Sequence, residues 1–142
     1  MPLIGQKDAD YLRKEFSDKL VEPMQLVMFT QEFECQYCRE TRQLVEEVGA
    51  LSDKIDVQIY NLVIDKEKAE EYNVDKIPAI VVAGTKDYGV RYFGIPSGYE
   101  FTSLTEDIVA VSEGDSGLAE ATRQAITEIT KPVHIQVFVT PT

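Results

Sequence analysis

The two cysteines of this 142-residue chain, Cys35 and Cys38, both lie in the stretch "FECQYCRE". Cysteines three residues apart in the first turn of a helix lie on the same side, so their sulfurs can reach each other. Such a pair is a weak structural cross-link, because closing a ring of about four residues contributes only ~2 kcal/mol on the loop-entropy model. The spacing therefore favours a reactive pair that closes a disulfide and reopens it.

The two cysteines are expected to have different roles. A helix is predicted to begin at or just after Cys35, where unpaired backbone N–H groups and the positive end of the helix dipole can lower a thiol pKa from about 8.5 to ~3.5–7.5. Cys35 is therefore the predicted nucleophile, and Cys38, one turn further on and more shielded, is the predicted resolving thiol. Neighbouring charges act on the thiolate in both directions, three acidic and two basic: Glu32, Glu34, Glu40, Arg39 and Arg42.

Other interpretations of the pair remain open from spacing alone. Two cysteines are half of a zinc site, or one chain's share of an iron–sulfur cluster held between two chains. They can also be chemically inert. The single histidine, His134, lies far along the chain and is expected to be a polar residue on an exposed strand face.

The elements that must position the pair alternate between strands and helices. The nearly continuous apolar run 24–30 predicts a strand covered on both faces, directly before the cysteines. After them, Leu44, Val48 and Leu51 recur at helical spacing. The other predicted elements are a helix over 8–21, a strand over 55–64, a short helix over 65–73, an antiparallel hairpin of 79–83 with 90–94, and a helix through Phe101, Leu104, Ile108 and Val111. This order indicates an α/β fold.

The last part of the chain looks like the start of a repeat. "SEGDSG" has a linker composition, so residues 1–113 are expected to form one unit and 114–117 a linker. A helical stripe of apolar residues follows, formed by Leu118, Ala125, Ile126 and Ile129. The stretch "KPVHIQVF" (131–138) then repeats the pattern of "EPMQLVMF" (22–29). Residues 118–142 are therefore interpreted as the first helix and strand of a second, incomplete unit. The alternative is an extra helix and edge strand of the first unit.

The predicted terminal strand, Val133 to Val139, would lack the neighbours that a complete second unit supplies. An unpaired apolar strand seeks another edge. We expect it to pack on the first unit or to exchange between chains, which makes self-association through this strand a prediction.

Composition restricts the partners. The chain has 14 Lys and Arg against 25 Asp and Glu, a net charge of −11, which repels nucleic acid and anionic lipid. The sequence shows neither the pattern of a signal peptide nor an apolar run of about 20 residues, the length of a membrane span. Partners among nucleic acids and membranes are not expected, and a cytoplasmic location is predicted.

Three motifs carry a resemblance to a known family. "CQYC" after an apolar strand, "VDKIPAIVV" and "GIPSGYEFTSL" resemble the thioredoxin-fold disulfide oxidoreductases, and among them the glutaredoxin-like protein disulfide oxidoreductases of thermophilic archaea and bacteria. Those proteins contain two thioredoxin-like units in tandem. The third motif is also similar to the N-terminal domain of the flavoprotein subunit of alkyl hydroperoxide reductase, whose first unit generally lacks its cysteines, so Cys35 and Cys38 favour the former.

The resemblance implies a central mixed sheet of about four strands flanked by helices, and thiol–disulfide exchange with protein substrates through Cys35 and Cys38. It implies that Pro78 is cis and faces Cys35, and that the Ile77 backbone pairs with an extended substrate segment. The residues between the cysteines, Gln36 and Tyr37, are expected to contact substrate as well. Electrons would come from a thioredoxin-reductase-like protein or a small thiol, with neither cofactor nor metal.

This sequence departs from the family pattern at several positions. Neither residue between the cysteines is the usual proline or glycine, and Ala79 follows Pro78 where threonine is common. The strand Leu26 to Phe29 holds no carboxylate, whereas thioredoxins bury an aspartate there. The residue that handles the proton is therefore not identified from the sequence.

Overall fold

The computed structural model describes residues 1–140 of the chain. Its elements follow the predicted order, and the strands predicted at 24–30 and 79–83 and the short helix predicted at 65–73 are present to within a few residues. In chain order they are α1 (Gln6–Lys19), β1 (Met24–Thr30), α2 (Cys38–Gly49), β2 (Ile55–Asn61), α3 (Lys66–Glu71), β3 (Ala79–Ala83), β4 (Val90–Phe93), α4 (Tyr99–Glu113) and α5 (Glu120–Ile126).

The four strands form one mixed sheet in the order β2-β1-β3-β4. β1 runs parallel to β2 and antiparallel to β3, and β3 pairs antiparallel with β4. The predicted mixed sheet and the predicted hairpin are thus confirmed. At the carboxyl ends of the parallel pair, Thr30 lies opposite Asn61, so the loops that follow β1 and β2 leave the sheet at the same end of its strands.

Successive residues of β1 pack on opposite sides of the sheet, as the period of a strand requires. Leu26 and Met28 belong to a core that contains apolar residues of α1, α2 and α4. Val27 and Phe29 belong to a smaller core on the other face, which includes Ala69 of α3. Because all four are fully buried, β1 is covered on both faces, as its continuous apolar sequence predicted.

Helix α2 approaches β2 closely at its last residue, Gly49. A Cβ atom placed at Gly49 would lie 2.3 Å from Cγ2 of Val57, far inside van der Waals contact. Glycine to alanine in a helix ordinarily stabilises by about 1 kcal/mol, but here we expect Gly49→Ala to lower the free energy of unfolding by about 1–3 kcal/mol through overpacking. Urea denaturation measures the change.

The matched control is the same substitution in a Val57→Ala background. Removing the two methyl groups makes room for the new Cβ, so the double variant is expected to be at least about 1 kcal/mol more stable than the two single effects predict. Additive effects would show that the contact with Val57 does not limit this position.

The N-terminal segment is attached to α2 through the side chains of Gln43 and Glu47, and the side-chain amide of Gln43 donates to the carbonyl oxygen of Met1 at 2.8 Å. The backbone N–H groups of Leu3 and Ile4 donate to Glu47, each to Oε2, at 3.0 and 2.9 Å. Burial acts to raise the pKa of Glu47, but the backbone hydrogen bonds from Ile4 and Leu3, the side-chain hydrogen bond from Gln43 and the charge of the N-terminus together outweigh it and lower the pKa below its ordinary value of 4.5. A carboxyl whose pKa is depressed by folding stabilises the protein above its unfolded pKa.

We therefore expect the contribution of ionised Glu47 to the free energy of unfolding to be complete above pH 4.5. This contribution should be lost as the pH falls through the pKa of Glu47 in the folded protein, which lies below 4.5. The measurement is the difference in free energy of unfolding between the wild type and Glu47→Gln, taken from urea titrations at several pH values. The difference should shrink as the pH falls below 4.5. A constant difference would contradict the linkage.

The C-terminal segment differs from its prediction. The predicted stripe of Leu118, Ala125, Ile126 and Ile129 yields only the short helix α5, all of whose residues are exposed. The predicted strand Val133–Val139 is wrong: these residues are exposed and form no strand. A strand is completed by hydrogen bonds to a neighbouring strand, and residues 133–139 pair with neither edge of the four-stranded sheet.

The expectation that this segment packs on the first unit is therefore also wrong for the single chain, whereas exchange between chains stays a prediction. Helix α4 ends at Glu113, where Gly114 adopts a left-handed conformation with φ of 69°. The division into 1–113, 114–117 and 118–142 stays a prediction, and its last two residues lie outside the described range. Across residues 1–140, none of the helices is long and apolar enough to cross a membrane.

Candidate redox site

Cys35 and Cys38 are joined in a disulfide, with their Cα atoms 5.5 Å apart. Helix α2 begins at Cys38, with Tyr37 as its N-cap, so the prediction that it begins at or just after Cys35 is wrong by two to three residues. Residues 36 and 37 form a turn instead. Cys35 therefore lies in the loop before the helix, and Cys38 is its first residue rather than one turn inside.

The two cysteines differ in exposure. Cys38 is 3% exposed and packs within the protein, whereas Cys35 is partly exposed. The difference arises because Cys38 lies on the inner face of α2, whereas Cys35 lies in the loop that follows β1. A large partner molecule therefore reaches Cys35 more readily than Cys38.

The turn between the cysteines is held by a residue that the sequence analysis missed. The carbonyl oxygen of Tyr37 accepts hydrogen bonds from both the backbone N–H and the Oγ1 hydroxyl of Thr41, at 2.9 and 2.6 Å. Thr41 is fully buried. A threonine one turn after Cys38, among the apolar positions of an amphipathic helix, is the sequence feature that could have indicated it.

A shallow cavity of about 240 Å³ opens beside the disulfide. Its wall contains both cations of the first turns of α2. Arg42 forms an ion pair with Glu46 at 2.9 Å, whereas within residues 1–140 Arg39 has no ion-pair partner. The full lining is Thr30, Gln31, Glu32, Cys35, Cys38, Arg39 and Arg42.

Of the five charged residues singled out from the sequence, three line this cavity: Glu32, Arg39 and Arg42. One acid thus faces two bases there, and one of the two bases is already paired. A cation close to a thiol favours the charged thiolate over the neutral form. Arg39 is the residue that could act in this way on a reduced cysteine.

Glu34, directly before Cys35, has an unusual backbone. Its φ is 55°, in the left-handed region that costs an L-residue about 1–2 kcal/mol. Its side chain is exposed. We expect Glu34→Gly to raise the free energy of unfolding of the oxidised protein by about 0.5–1 kcal/mol, because glycine adopts this conformation freely and loses only part of the gain to its greater unfolded-state entropy. Urea denaturation tests this.

Glu32→Gly is the matched control, because Glu32 is equally acidic and exposed and lies in the same loop, but is not among the residues with positive φ. That substitution is expected to lower stability by about 0.5–1 kcal/mol. Changes of the same sign in both variants would mean that the backbone of Glu34 is not the cause.

The Ile77–Pro78 peptide bond is cis, which confirms the predicted geometry of this bond, whereas the expectation that Pro78 faces Cys35 stays a prediction. Pro78 is buried and precedes β3, and its carbonyl oxygen accepts a hydrogen bond from the backbone N–H of Gly94 at 2.9 Å. Gln36 and Tyr37 are exposed. The lining of the cavity includes neither of them, nor Ile77 or Pro78, so a substrate-binding role for these four residues stays a prediction.

The residues that could bind a metal do not come together. Among residues 1–140, no three or more His, Cys, Asp and Glu side chains are grouped so that they could hold a metal ion. His134 is exposed in the C-terminal segment.

The site combines a cysteine pair at the start of helix α2 with a cis-proline directly before β3. The cysteine pair follows β1, one of the two central strands of the mixed sheet. This combination defines the class of the protein as a thiol–disulfide oxidoreductase. The chain belongs to the thioredoxin family, whose "Thioredoxin domain" model matches residues 26–106. It is 36% identical over 74 residues to a "Probable Thioredoxin" of Methanothermobacter thermautotrophicus, covering 51% of this chain and 82% of the relative. It is also 31% identical over 64 residues to a "Thioredoxin" of Methanocaldococcus jannaschii, covering 44% and 71%.

Solved structures extend the similarity. The protein disulfide oxidoreductase of Aeropyrum pernix matches with a TM-score of 0.77 and 27% identity, over 86% of this chain and 53% of that one. The chain thus spans about half the length of that oxidoreductase. The NTD_N/C domain of alkylhydroperoxide reductase AhpF from Enterococcus faecalis matches with a TM-score of 0.79 over 90% of this chain and 62% of that one; at 22% identity it shows the fold alone. The resemblance to disulfide oxidoreductases is confirmed, whereas the tandem arrangement stays a prediction.

Proposed function

We propose that this chain exchanges dithiols and disulfides with protein substrates, with Cys35 as the nucleophile and Cys38 as the resolving thiol. The Cys35 thiolate attacks one sulfur of a substrate disulfide, forms a mixed disulfide and expels the other substrate sulfur as a thiolate. The Cys38 thiolate then attacks Cys35 Sγ and releases the second substrate sulfur. The substrate gains two electrons and, on protonation, two protons, while the chain is oxidised to the Cys35–Cys38 disulfide.

The observation that carries this assignment of roles is the difference in exposure between the two cysteines. A mixed disulfide with a protein can form only at a sulfur that the partner can approach, and Cys38 is 3% exposed. The buried position of Cys38 beside Cys35 suits the second step, because this step is intramolecular and Cys38 attacks only Cys35 Sγ. The substrate sulfur bound to Cys35 is the leaving group. Arg39 supports the first step by placing a cation in the same cavity.

The direction of exchange depends on the partner. A dithiol donor returns two electrons to the disulfide seen here, after which the chain acts as a reductase, and an oxidant pool reverses the sequence. A thioredoxin-reductase-like protein or a small thiol is the proposed donor, and the cytoplasm the proposed location. The substrate-binding surface is proposed to include Gln36, Tyr37, Ile77 and Pro78.

Residues 118–142 are proposed to begin a second thioredoxin-like unit. Support comes from the Aeropyrum pernix oxidoreductase, which matches 86% of this chain, more than residues 1–113 alone. The exposed apolar residues Val133, Val137 and Phe138 would be buried by such a unit. Without it they favour self-association, as an unpaired apolar segment does.

The experiment that tests the redox assignment is alkylation of the reduced protein followed by mass spectrometry, in parallel with equilibration in glutathione redox buffers. The expected result is fast modification of Cys35, slow modification of Cys38 and reversible formation of one disulfide. Cys38 reacting first would reverse the proposed roles. Thiols that resist alkylation until a chelator is added would replace thiol exchange with metal binding.

A further inference from the structure

Three large apolar side chains are exposed next to the cysteine cavity. Phe33 is 78% exposed, Val63 71% and Ile64 81%. Together with Gln31, Glu32 and Asn61 they line a depression of about 330 Å³, called here the apolar depression. Gln31 and Glu32 also line the cysteine cavity, so the two concave surfaces are adjacent and share part of their wall.

The apolar depression is formed by two loops that leave the sheet at the same end of its strands. Residues 31–33 follow β1, and residues 62–64 follow β2, its parallel neighbour. The backbone N–H of Leu62 donates to the carbonyl oxygen of Thr30 at 3.0 Å, which joins the two loops. Leu62 packs inward against the smaller core, whereas the side chains of Val63 and Ile64 are exposed.

Polar side chains hold both loops in place. Asn61 Oδ1 accepts hydrogen bonds from the backbone N–H groups of Val63 and Ile64, at 2.9 and 3.0 Å. The side-chain amide of Gln31 donates to the carbonyl oxygen of Phe33. The exposed apolar side chains thus stand on ordered turns. A surface fixed before binding loses less conformational entropy when a partner covers it.

We propose that the apolar depression is a specificity subsite that takes a large apolar side chain of an extended polypeptide substrate while the disulfide of that substrate meets Cys35. This inference rests on the proposed function and names its substrate class. The shared wall of the two cavities carries it, because a chain that extends from Cys35 toward this side passes Gln31 and Glu32 to reach the depression.

Size and charge select this occupant. Six residues line the depression, whereas a stable interface between folded proteins uses about 20–30 residues a side; one or two side chains fit better than a folded surface. The lining contains Glu32 and no basic residue, and the chain carries a net charge of −11. A basic residue beside the apolar one is therefore favoured, and an acidic one is disfavoured.

The test uses disulfide-bonded peptides in which a single leucine is moved over about three positions on each side of the cysteine, with glycine and glutamate peptides for comparison. Dithiothreitol supplies electrons, so no protein donor is needed. At the best position we expect kcat/KM to exceed that of the glycine peptide at least about tenfold, the gain from burying most of one large apolar side chain. The glutamate peptide should be the slowest.

Val63→Ser combined with Ile64→Ser is expected to reduce the leucine-to-glycine ratio to within about twofold, because it removes most of the apolar contact. Phe33→Ser should reduce the ratio independently. The matched control is Tyr11→Ser, which removes another exposed aromatic residue, 62% exposed on α1, and should leave the ratio unchanged.

One outcome is that the wild-type protein reduces bis(2-hydroxyethyl) disulfide and reduces all of the peptides at equal rates. That result would overturn this inference and leave the proposed function standing. Protein that reduces neither would overturn the proposed function and the inference with it. A leucine preference that survives in the Val63→Ser, Ile64→Ser variant would also overturn the inference. The inference would also be overturned if sedimentation analysis showed that the wild type is a dimer and that this variant is a monomer. A second copy of the chain would then occupy the depression.

Discussion

Cys35→Ser is expected to abolish disulfide exchange, lowering kcat/KM for a disulfide peptide by at least about 10³-fold. A serine hydroxyl is not ionised at neutral pH and cannot form the mixed disulfide on which every later step depends. Cys38 does not replace Cys35 in the first attack, because at 3% exposure its sulfur is shielded from the disulfide of a peptide as well as from that of a protein. The measurement is the rate of peptide reduction with dithiothreitol as electron donor, corrected for direct reduction by dithiothreitol.

The control for this variant is the free energy of unfolding of the reduced wild type. A Cys-to-Ser change in a partly exposed loop residue should leave that value within about 0.5 kcal/mol, so that lost activity reports chemistry and not unfolding. Residual exchange at a tenth of the wild-type rate or more would show that Cys38 is an effective nucleophile and would reverse the assigned roles.

Cys38→Ser is expected to accumulate the mixed disulfide that the wild type resolves. Cys35 can still attack the substrate, but the intramolecular thiol that releases the product is gone, and with it an effective concentration of about 10⁵ M or more. Mass spectrometry of the variant after incubation with a disulfide peptide should show one peptide bound per chain through Cys35. Wild-type protein under the same conditions should show the internal disulfide.

The variant lacking both cysteines is the control for nonspecific capture and should bind no peptide. Excess small thiol should release the peptide trapped by Cys38→Ser, because an intermolecular thiol can replace the resolving one when its concentration is high. A trapped peptide on Cys38 of the Cys35→Ser variant, with none on Cys35 of Cys38→Ser, would contradict the proposed order of attack.

Several features of the fold and site followed from local sequence. The continuous apolar run of β1 predicted a strand buried on both faces, and Val27 and Met28 are both fully buried. The "AIVVA" strand and its antiparallel partner were found where turn residues placed them. The cysteine spacing predicted a pair able to form a disulfide, which the structure contains. In each case the prediction rests on a short stretch of sequence, through its apolar pattern, its turn residues or its cysteine spacing.

Other features could not be obtained in this way. Val63 and Ile64 were predicted as the end of a strand because they are apolar and follow "IDVQIYN", but the strand ends at Asn61, whose side chain accepts hydrogen bonds from the next turn and leaves both residues exposed. Thr41 was missed because its importance depends on which carbonyl it meets. Gly49 looks like an ordinary helix residue until Val57 of β2 is placed against it.

The sequence by itself determined the chemistry available, a reactive cysteine pair, and the order of strands and helices, because hydrophobic period and cysteine spacing are local properties. The tertiary structure alone decided the start of α2 at Cys38, the burial of Cys38 against the exposure of Cys35, and the absence of a strand at residues 133–139. An apolar pattern states which residues could be buried. Burial and strand pairing require neighbours that are distant in the chain, and only the folded structure shows whether they are there.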